Sequence, residues 1–249
     1  MRQTLTNWIL GVHPNNTCFA FNWHNVRHIR RFLGVTVAQI EGTDLRLADV
    51  GGGRSPYYPF FASKASQYLV IDLAEALPQG ETRPIKQLVG TAEEIPLGDR
   101  EVDIVLCNQV LEHVLDPVQS MREMDRILKP GGYFIGSVPH VSPIHLEPYD
   151  YRRYTALGIK QLLQQQGYEG IKVEGNGGVF RTAALMIAMD LLLSKRQPGR
   201  SQQFNADMAL LLSPLIALLN LSSLLADKLF GDRQRTPANL CWVARKKLT

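Results

Sequence analysis

Short apolar segments alternate with amphipathic or polar segments through the middle of this chain. Four apolar runs, at 45–50, 67–75, 102–109 and 132–139, predict strands, and weaker runs at 171–175 and 240–247 predict two more. The segment 121–132, MREMDRILKPGG, predicts a helix that ends at its lysine, proline and glycines. Strands that alternate with helices indicate an α/β fold around a largely parallel sheet. The 249 residues, of which 45% are hydrophobic, can bury a substantial core.

The first predicted strand leads into a chemically informative turn. It ends at Asp49 and is followed by Gly51, Gly52 and Gly53, which allow positive φ and close approach of a ligand. The second strand ends at Asp72, about twenty residues on, where nucleotide-binding α/β units place the carboxylate that holds a ribose diol. The pattern therefore predicts a nucleoside-binding site, without choosing between a dinucleotide and another adenosine-containing cofactor.

The motifs that follow narrow this choice. The succession of the glycine turn, Asp72, AEEIPL at 92–97, DIVLCN at 103–108, LEHV at 111–114 and RILKPGG at 126–132 resembles the class I S-adenosylmethionine-dependent methyltransferases, in particular the type 11 group. The resemblance covers roughly residues 45–175 and the last strand. It implies a Rossmann-like, seven-stranded, mostly parallel sheet with flanking helices and an antiparallel last strand. It also implies S-adenosylmethionine as the cofactor. The rival on the same architecture, a dehydrogenase, would need a glycine where this chain has Pro56.

The resemblance also implies cofactor-binding roles for particular residues. The implied set is Asp49, Gly51 and Gly53 under the methionine moiety, Asp72 at the ribose, Ala92 and Glu93 beside the adenine, and Asn108 near the transferred methyl. Two positions depart from the family pattern. Ser55 replaces the third glycine of the turn, and Thr91 replaces an acidic residue before Ala92. These departures leave open a non-catalytic binding or scaffold protein on the same fold.

A second group of residues concerns the acceptor of the methyl group. If the acceptor is a hydroxyl, a proton must be removed, and a histidine titrates in the right range to act as the base. The catalytic candidates are His113, His140 and His145, with His140, His145 and Tyr151 as candidate acceptor contacts. His113 could equally pack against a helix or cap it. Asp150 and Arg153 could simply pair with each other and brace the loop in which they lie. Thr155 is predicted to cap the next helix and Gly167 to end it.

The chain departs from a plain methyltransferase domain at its start and before its last strand. We expect a helical cap at 1–44, with Val26, Ile29 and Leu33 on one side of a helix, a methyltransferase domain at 45–181 and 236–249, and an apolar helical insertion at 182–235. In the second apolar block, 208–226, and just beyond it, Ser213, Asn220, Ser223 and Asp227 fall on one side of a helix that Pro214 interrupts. This polar stripe favours burial against a partner, or a position in an interface, over a membrane span. A lid, a dimer surface, a membrane-contacting hairpin and plain additional core remain open as its use.

Charge and cysteine content limit the remaining classes of function. The formal charge of +4 and a pI near 9.0 are modest, and no nucleic-acid-binding module accompanies the scattered basic groups, such as Arg27 to Arg31. Three widely separated cysteines and six histidines show no metal-ligand spacing, so we expect no metal and a cytoplasmic protein, with peripheral membrane contact and a homodimer left open. The expected activity is methyl transfer to a hydrophobic small molecule or a lipid-like acceptor; a cell-envelope sugar is the alternative acceptor.

Overall fold

The computed structural model describes residues 2–192, 206–231 and 235–248. These residues form two compact units. The helical unit comprises 1–31, 139–153 and 175–240, and the sheet unit comprises 32–138, 154–174 and 241–249. The division into a cap at 1–44, a methyltransferase domain and an insertion at 182–235 stays a prediction.

The described strands include all six that the hydrophobic pattern predicts and one more, at 85–89, that it does not. The helices are α1 Arg2–Leu10, α2 Trp23–Gln39, α3 Tyr58–Phe61, α4 Pro117–Ile127, α5 Ala156–Gln165, α6 Val179–Leu192 and α7 Ala206–Phe230. The strands are β1 Leu45–Val50, β2 Ala65–Asp72, β3 Ile85–Val89, β4 Val102–Asn108, β5 Leu128–Pro139, β6 Glu169–Gly175 and β7 Asn239–Arg245. On α2, the predicted side with Val26, Ile29 and Leu33 is buried, which confirms the expected amphipathic helix.

The seven strands form one sheet in the order β3-β2-β1-β4-β5-β7-β6. Strand β1 is parallel to β2 and β4, β3 is parallel to β2, and β5 is parallel to β4. Strand β7 runs antiparallel to β5, since the His140 N–H donates to the Ala238 carbonyl at one end and the Lys246 N–H donates to the Gly132 carbonyl at the other. The Rossmann-like sheet with an antiparallel last strand is therefore confirmed.

The topology sets where ligands can bind. Strand order reverses beside β1, because the chain leaves β1 for β2 and β3 on one side and later adds β4 on the other. Open α/β sheets bind ligands at the carboxyl ends of the strands next to such a reversal. The carboxyl ends of β1, β2 and β4 carry Asp49, Asp72 and Asn108, which are three of the predicted cofactor residues.

The predicted end of the helix before β5 is wrong. Helix α4 ends at Ile127, and Leu128 already has an extended backbone, so Lys129 to Gly132 belong to β5. A Cβ at Gly132 would lie 2.9 Å from the carbonyl oxygen of Asp103 on the neighbouring strand. This glycine therefore permits close approach of two strands, which is a second common reason for glycine in an apolar run. Thr155 caps α5 as predicted, since its hydroxyl accepts the Gly158 N–H.

Helix α7 buries its polar side within the helical unit and exposes its apolar side. It runs unbroken through Pro214, so the predicted interruption is wrong. The predicted polar stripe is confirmed: Ser213, Asn220 and Ser223 are buried. Asn220 Nδ2 donates to the carbonyls of Cys18 and Ala20, at 2.7 and 3.0 Å. The stripe therefore packs against the N-terminal part of the same unit.

The opposite side of α7 is apolar and open. Its exposed side chains include Leu211, Leu218, Leu221, Leu225 and Leu229. Among the described residues, Asp207–Phe230 is the one helix that is long and apolar enough to cross a membrane, judged by length and composition alone. Only 33% of its most apolar stretch is buried, so the helix does not resemble a fully buried core helix.

Candidate functional site

The glycine turn after β1 is built around positions that reject a side chain. Gly51 has φ +69°, and a Cβ there would overlap the Val110 side chain. A Cβ on Gly52 would lie 2.5 Å from the Asp49 carboxyl carbon. The Gly53 N–H donates to Asp72 Oδ2 at 2.8 Å. The turn thus presents bare backbone, as a close-fitting ligand requires.

Asp72 joins the ends of the two strands. Its Oδ2 accepts the Gly53 N–H, and its Oδ1 accepts the N–H of Leu73 at 2.8 Å. Each carboxylate oxygen can accept a further hydrogen bond. The two backbone donors fix the carboxylate in an orientation from which both oxygens can accept hydroxyl protons of a diol.

Asp49 is a buried carboxyl beneath the turn, with 2% of its surface exposed. Burial raises its pKa to about 7, the hydrogen bond from Tyr68 opposes this rise, and the charge of Asp72 adds to it. The Tyr68 hydroxyl donates to Asp49 Oδ2 at 2.7 Å. Asp49 is therefore held partly protonated near neutral pH, and a positively charged ligand close by would favour its ionised form.

The departure at Ser55 has a structural consequence. Ser55 adopts φ +51°, the left-handed conformation in which glycine is the least strained residue. Its N–H donates to the Gly52 carbonyl at 2.7 Å, so the turn closes as it would with glycine. The substitution keeps the shape of the turn at a local cost of about 1 kcal/mol.

Arg83 supports the turn and was not anticipated from the sequence. Its guanidinium donates to the carbonyls of Arg54 and Ser55, at 2.8 and 3.0 Å, and pairs with Glu81 at 2.6 Å. The guanidinium also lies 5.7 Å from the centre of the Tyr58 ring. The only sequence signal is an acid two residues before an arginine, between β2 and β3, which is too common to mark a function.

The two predicted adenine contacts lie in the loop after β3. Ala92 is buried, and Glu93 Oε1 accepts the N–H groups of Leu115 and Asp116, at 3.0 and 3.4 Å. Thr91, which replaces the usual acid, accepts the Glu94 N–H through its hydroxyl at 3.1 Å. Glu93 thus ties this loop to the start of α4, and the adenine role of these residues stays a prediction.

Asn108 ends β4, and one of the two polar atoms of its side-chain amide has a hydrogen-bond partner among the described residues. Its Oδ1 accepts the Ser137 hydroxyl at 2.9 Å, whereas its Nδ2 is buried and has no hydrogen-bond partner among the described residues. A buried donor without an acceptor costs about 1–3 kcal/mol. The atom is therefore suited to a ligand that brings an acceptor, such as the carboxylate of an amino acid.

The histidine candidates fall in different units. His113 belongs to the sheet unit, and its Nε2 lies 3.7 Å from Oε1 of the fully buried Glu112. His140, His145 and Tyr151 belong to the helical unit. His140 is half-buried, and its N–H is used in the pairing of β5 with β7.

The loop that carries His145 is braced by the pairing of Asp150 with Arg153, as the sequence analysis allowed. Arg153 donates to both carboxylate oxygens of Asp150, and the Asp150 carboxylate also accepts the His145 N–H at 2.7 Å. Burial raises the pKa of Asp150, but the hydrogen bonds from Arg153 and His145 outweigh it and the pKa is lowered. Asp150 and Arg153 thus pair with each other and fix the backbone at His145. Tyr151 is exposed, with the Arg152 guanidinium 5.8 Å from the centre of its ring.

The structure has a Rossmann-like α/β fold, and the turn after β1 with Asp72 forms a candidate nucleoside site. Residues 48–136, which contain the glycine turn, Asp72 and Asn108, match the family described as methyltransferase domain, type 11. The resemblance to the class I S-adenosylmethionine-dependent methyltransferases is thereby confirmed for this segment of the chain. S-adenosylmethionine is the cofactor that the resemblance implies.

Similar proteins share part of the chain. A probable S-adenosylmethionine-dependent methyltransferase from Mycolicibacterium smegmatis is 39% identical over 102 residues, which are 39% of this chain and 38% of that protein. A ubiquinone biosynthesis O-methyltransferase from Leptothrix cholodnii is 28% identical over 130 residues, 48% of this chain and 54% of that protein. The chain thus spans about half or less of the length of these two curated relatives.

Solved structures share the fold over most of the chain. A methyltransferase from Archaeoglobus fulgidus that is described as S-adenosylmethionine-dependent superposes with a TM-score of 0.56 and 17% identity, covering 88% of this chain and 94% of that one. At this identity the similarity shows the fold alone.

Proposed function

We propose that this protein is an enzyme that transfers a methyl group from S-adenosylmethionine to an acceptor. The observation that carries the proposal is the site shared by β1 and β2, where a turn that rejects side chains meets the oriented carboxylate of Asp72. When bound, S-adenosylmethionine supplies a methyl group on a positively charged sulfur. The proposed roles of the chain are to hold the ribose through Asp72, to accept the methionine moiety at Gly51 to Gly53, and to offer it the Nδ2 donor of Asn108.

For a hydroxyl acceptor, the chain must also remove a proton. We propose His113 as the first candidate base, with His140 and His145 as alternatives, because His113 follows the end of β4, where the resemblance places the transferred methyl group. An acceptor that is already an anion or a free amine would need no base.

Substitution of Asp72 tests the cofactor site. Asp72→Ala removes the acceptor for the ribose hydroxyls, and we expect it to weaken S-adenosylmethionine binding by about 1.5–3 kcal/mol in isothermal titration. Glu75→Ala, at an exposed acid in the following loop, is the matched control and should bind like the unaltered protein. Equal affinities of all three proteins would contradict the ribose role. Failure of the unaltered protein to bind would contradict the enzyme proposal and favour a scaffold.

We further propose a hydrophobic or lipid-like acceptor, met at a membrane surface by a peripheral cytoplasmic protein. The exposed leucines of α7 support this proposal, since an apolar helix face of this length is rarely left open to water. Trp8 on α1 is also exposed, and α1 packs on α7 within the helical unit. Tryptophan is favoured where a protein meets the surface of a bilayer.

Flotation with vesicles tests this surface. The unaltered protein should float with phosphatidylcholine vesicles, and the double variant Leu218→Gln/Leu225→Gln should remain at the bottom, because both changes place polar groups on the open face. Leu157→Gln, at an exposed leucine of α5, is the control and should float. A protein that does not float but forms a dimer that the double variant loses would make this face a dimer surface instead.

A further inference from the structure

A cavity of about 510 Å³ lies entirely among residues of the helical unit. Its walls come from α2, from the glycine-containing segment 175–178, from the first turn of α6 and from the end of α7. This volume is within the range of small-molecule sites. The predicted cofactor residues are absent from its lining.

Helix α2 presents a basic stripe to this cavity. His24, Arg27, His28 and Arg31 line it, at positions i, i+3, i+4 and i+7 of one helix face. Arg181 of α6 adds a third guanidinium. The sequence alone showed Arg27 to Arg31 only as a small basic group, because the contribution of Arg181 comes from 150 residues further along the chain.

The acidic group in the cavity, Asp227, is already bonded to other groups of the protein. Asp227 accepts the N–H groups of Gly178 and Phe180, at 2.8 and 3.0 Å, and pairs with Arg181 Nε at 3.1 Å. Asp227 is the one acid among the described lining residues, against three arginines. Burial lowers the pKa of Arg181, and the charges of Arg27 and Arg31 add to this effect although Asp227 opposes it. The Arg181 guanidinium is therefore close enough to Arg27 and Arg31 to be repelled by both.

Gly177 lets the Arg181 and Asp227 side chains lie against the backbone of the cavity wall. Gly177 has φ +148°, and a Cβ there would lie 2.7 Å from Arg181 Cδ and 2.9 Å from Asp227 Oδ2. His24 adds no charge near neutral pH, since burial and the charge of Arg181 lower its pKa to about 4. Its Nε2 lies 3.1 Å from both the Asn220 carbonyl and the Ser223 hydroxyl, which fixes the ring.

We propose that this cavity binds a phosphate or diphosphate group, held by Arg27, Arg31 and Arg181. Guanidinium groups match phosphate oxygens in pairs of parallel hydrogen bonds, and a group with two or more negative charges relieves the repulsion of three arginines better than a single carboxylate does. The phosphate belongs either to a soluble molecule or to the headgroup of a lipid. The site is independent of methyl transfer and would stand if the protein were a scaffold.

The test removes two charges that are exposed and therefore dispensable for folding. Arg27→Gln/Arg31→Gln is compared with the unaltered protein and with Arg122→Gln, an exposed arginine of α4 that is not in the cavity. Isothermal titration with inorganic pyrophosphate tests a soluble ligand. Flotation with phosphatidylglycerol vesicles tests a lipid headgroup. The fraction of protein that floats with phosphatidylcholine vesicles is subtracted as background. Thermal unfolding of each variant shows that it is folded.

We expect the double variant to lose about tenfold or more in affinity in at least one of the two assays, while Arg122→Gln keeps its affinity. A loss with pyrophosphate assigns the cavity to a soluble phosphate, and a loss confined to phosphatidylglycerol assigns it to a lipid. The proposal is overturned if neither probe binds, if the double variant binds as well as the unaltered protein, or if Arg122→Gln loses as much as the double variant.

Discussion

Asn220→Leu is expected to lower the free energy of unfolding by about 2–4 kcal/mol, although leucine suits the apolar sequence around it. Asn220 is 1% exposed, and its Nδ2 donates to the carbonyls of Cys18 and Ala20. Leucine would leave the part-buried Cys18 carbonyl without this donor and would place a branched side chain in a polar contact. Urea unfolding followed by circular dichroism measures the change.

The control for this prediction lies two residues away. Ser222→Ala removes an exposed hydroxyl that donates only to the Leu219 carbonyl of the same helix, at 3.2 Å. We expect it to change the free energy of unfolding by less than about 0.5 kcal/mol. If both variants lost the same small amount of stability, the hydrogen bonds of Asn220 would not be what holds α7 to residues 18–20.

Asp49→Asn is expected to stabilise the protein at alkaline pH and to have little effect at pH 4. Burial raises the pKa of the Asp49 carboxyl to about 7, whereas in an unfolded chain it is near 3.8. The folded form therefore keeps the proton over this interval, and the contribution of Asp49 to stability is full below about pH 4 and falls as the pH rises to 7. At pH 8 the buried charge costs up to about 4 kcal/mol, which asparagine avoids. Asparagine can also accept the Tyr68 hydroxyl proton.

The difference between variant and unaltered protein is the quantity to measure. Burial and the charge of Arg181 lower the pKa of His24 to about 4, so the stability that His24 contributes is lost as the pH falls from about 6.5 to 4. His24 and Asp49 thus act in opposite directions over the same interval, so the pH dependence of the unaltered protein does not isolate the contribution of Asp49. Asp99→Asn, at an exposed aspartate, is the control. A difference between Asp49→Asn and the unaltered protein that stays constant from pH 4 to pH 8 would contradict the raised pKa.

The sheet and the candidate cofactor site could be predicted from the sequence because they depend on short local patterns. Strands β1, β2 and β4 are short apolar runs, and Asp49, Asp72 and Asn108 stand where those runs stop. Parallel strands align these ends at one edge of a sheet, so position in the chain translates directly into position in space. The predicted helix end at Lys129 to Gly132 was wrong because a proline and two glycines end a helix in most contexts. Here they lie in a strand, and Gly132 allows that strand to approach its neighbour.

Contacts between distant segments could not be read from the sequence. Arg83 supports the turn at Arg54 and Ser55, and Arg181 joins Arg27 and Arg31, yet neither Arg83 nor Arg181 lies in a distinctive local pattern. Likewise, the polar stripe of α7 predicted burial against a partner, but not that the partner is the segment around Cys18 and Ala20.

The amino-acid sequence by itself determined the α/β class, the resemblance to a methyltransferase domain and the residues at the strand ends, because hydrophobic period and glycine content act over a few residues. Only the tertiary structure decided which face of α7 is open, which arginines share a cavity and how strongly Asp49 is buried. These properties depend on which segments pack together, and burial and electrostatic interactions are set by that packing rather than by spacing along the chain.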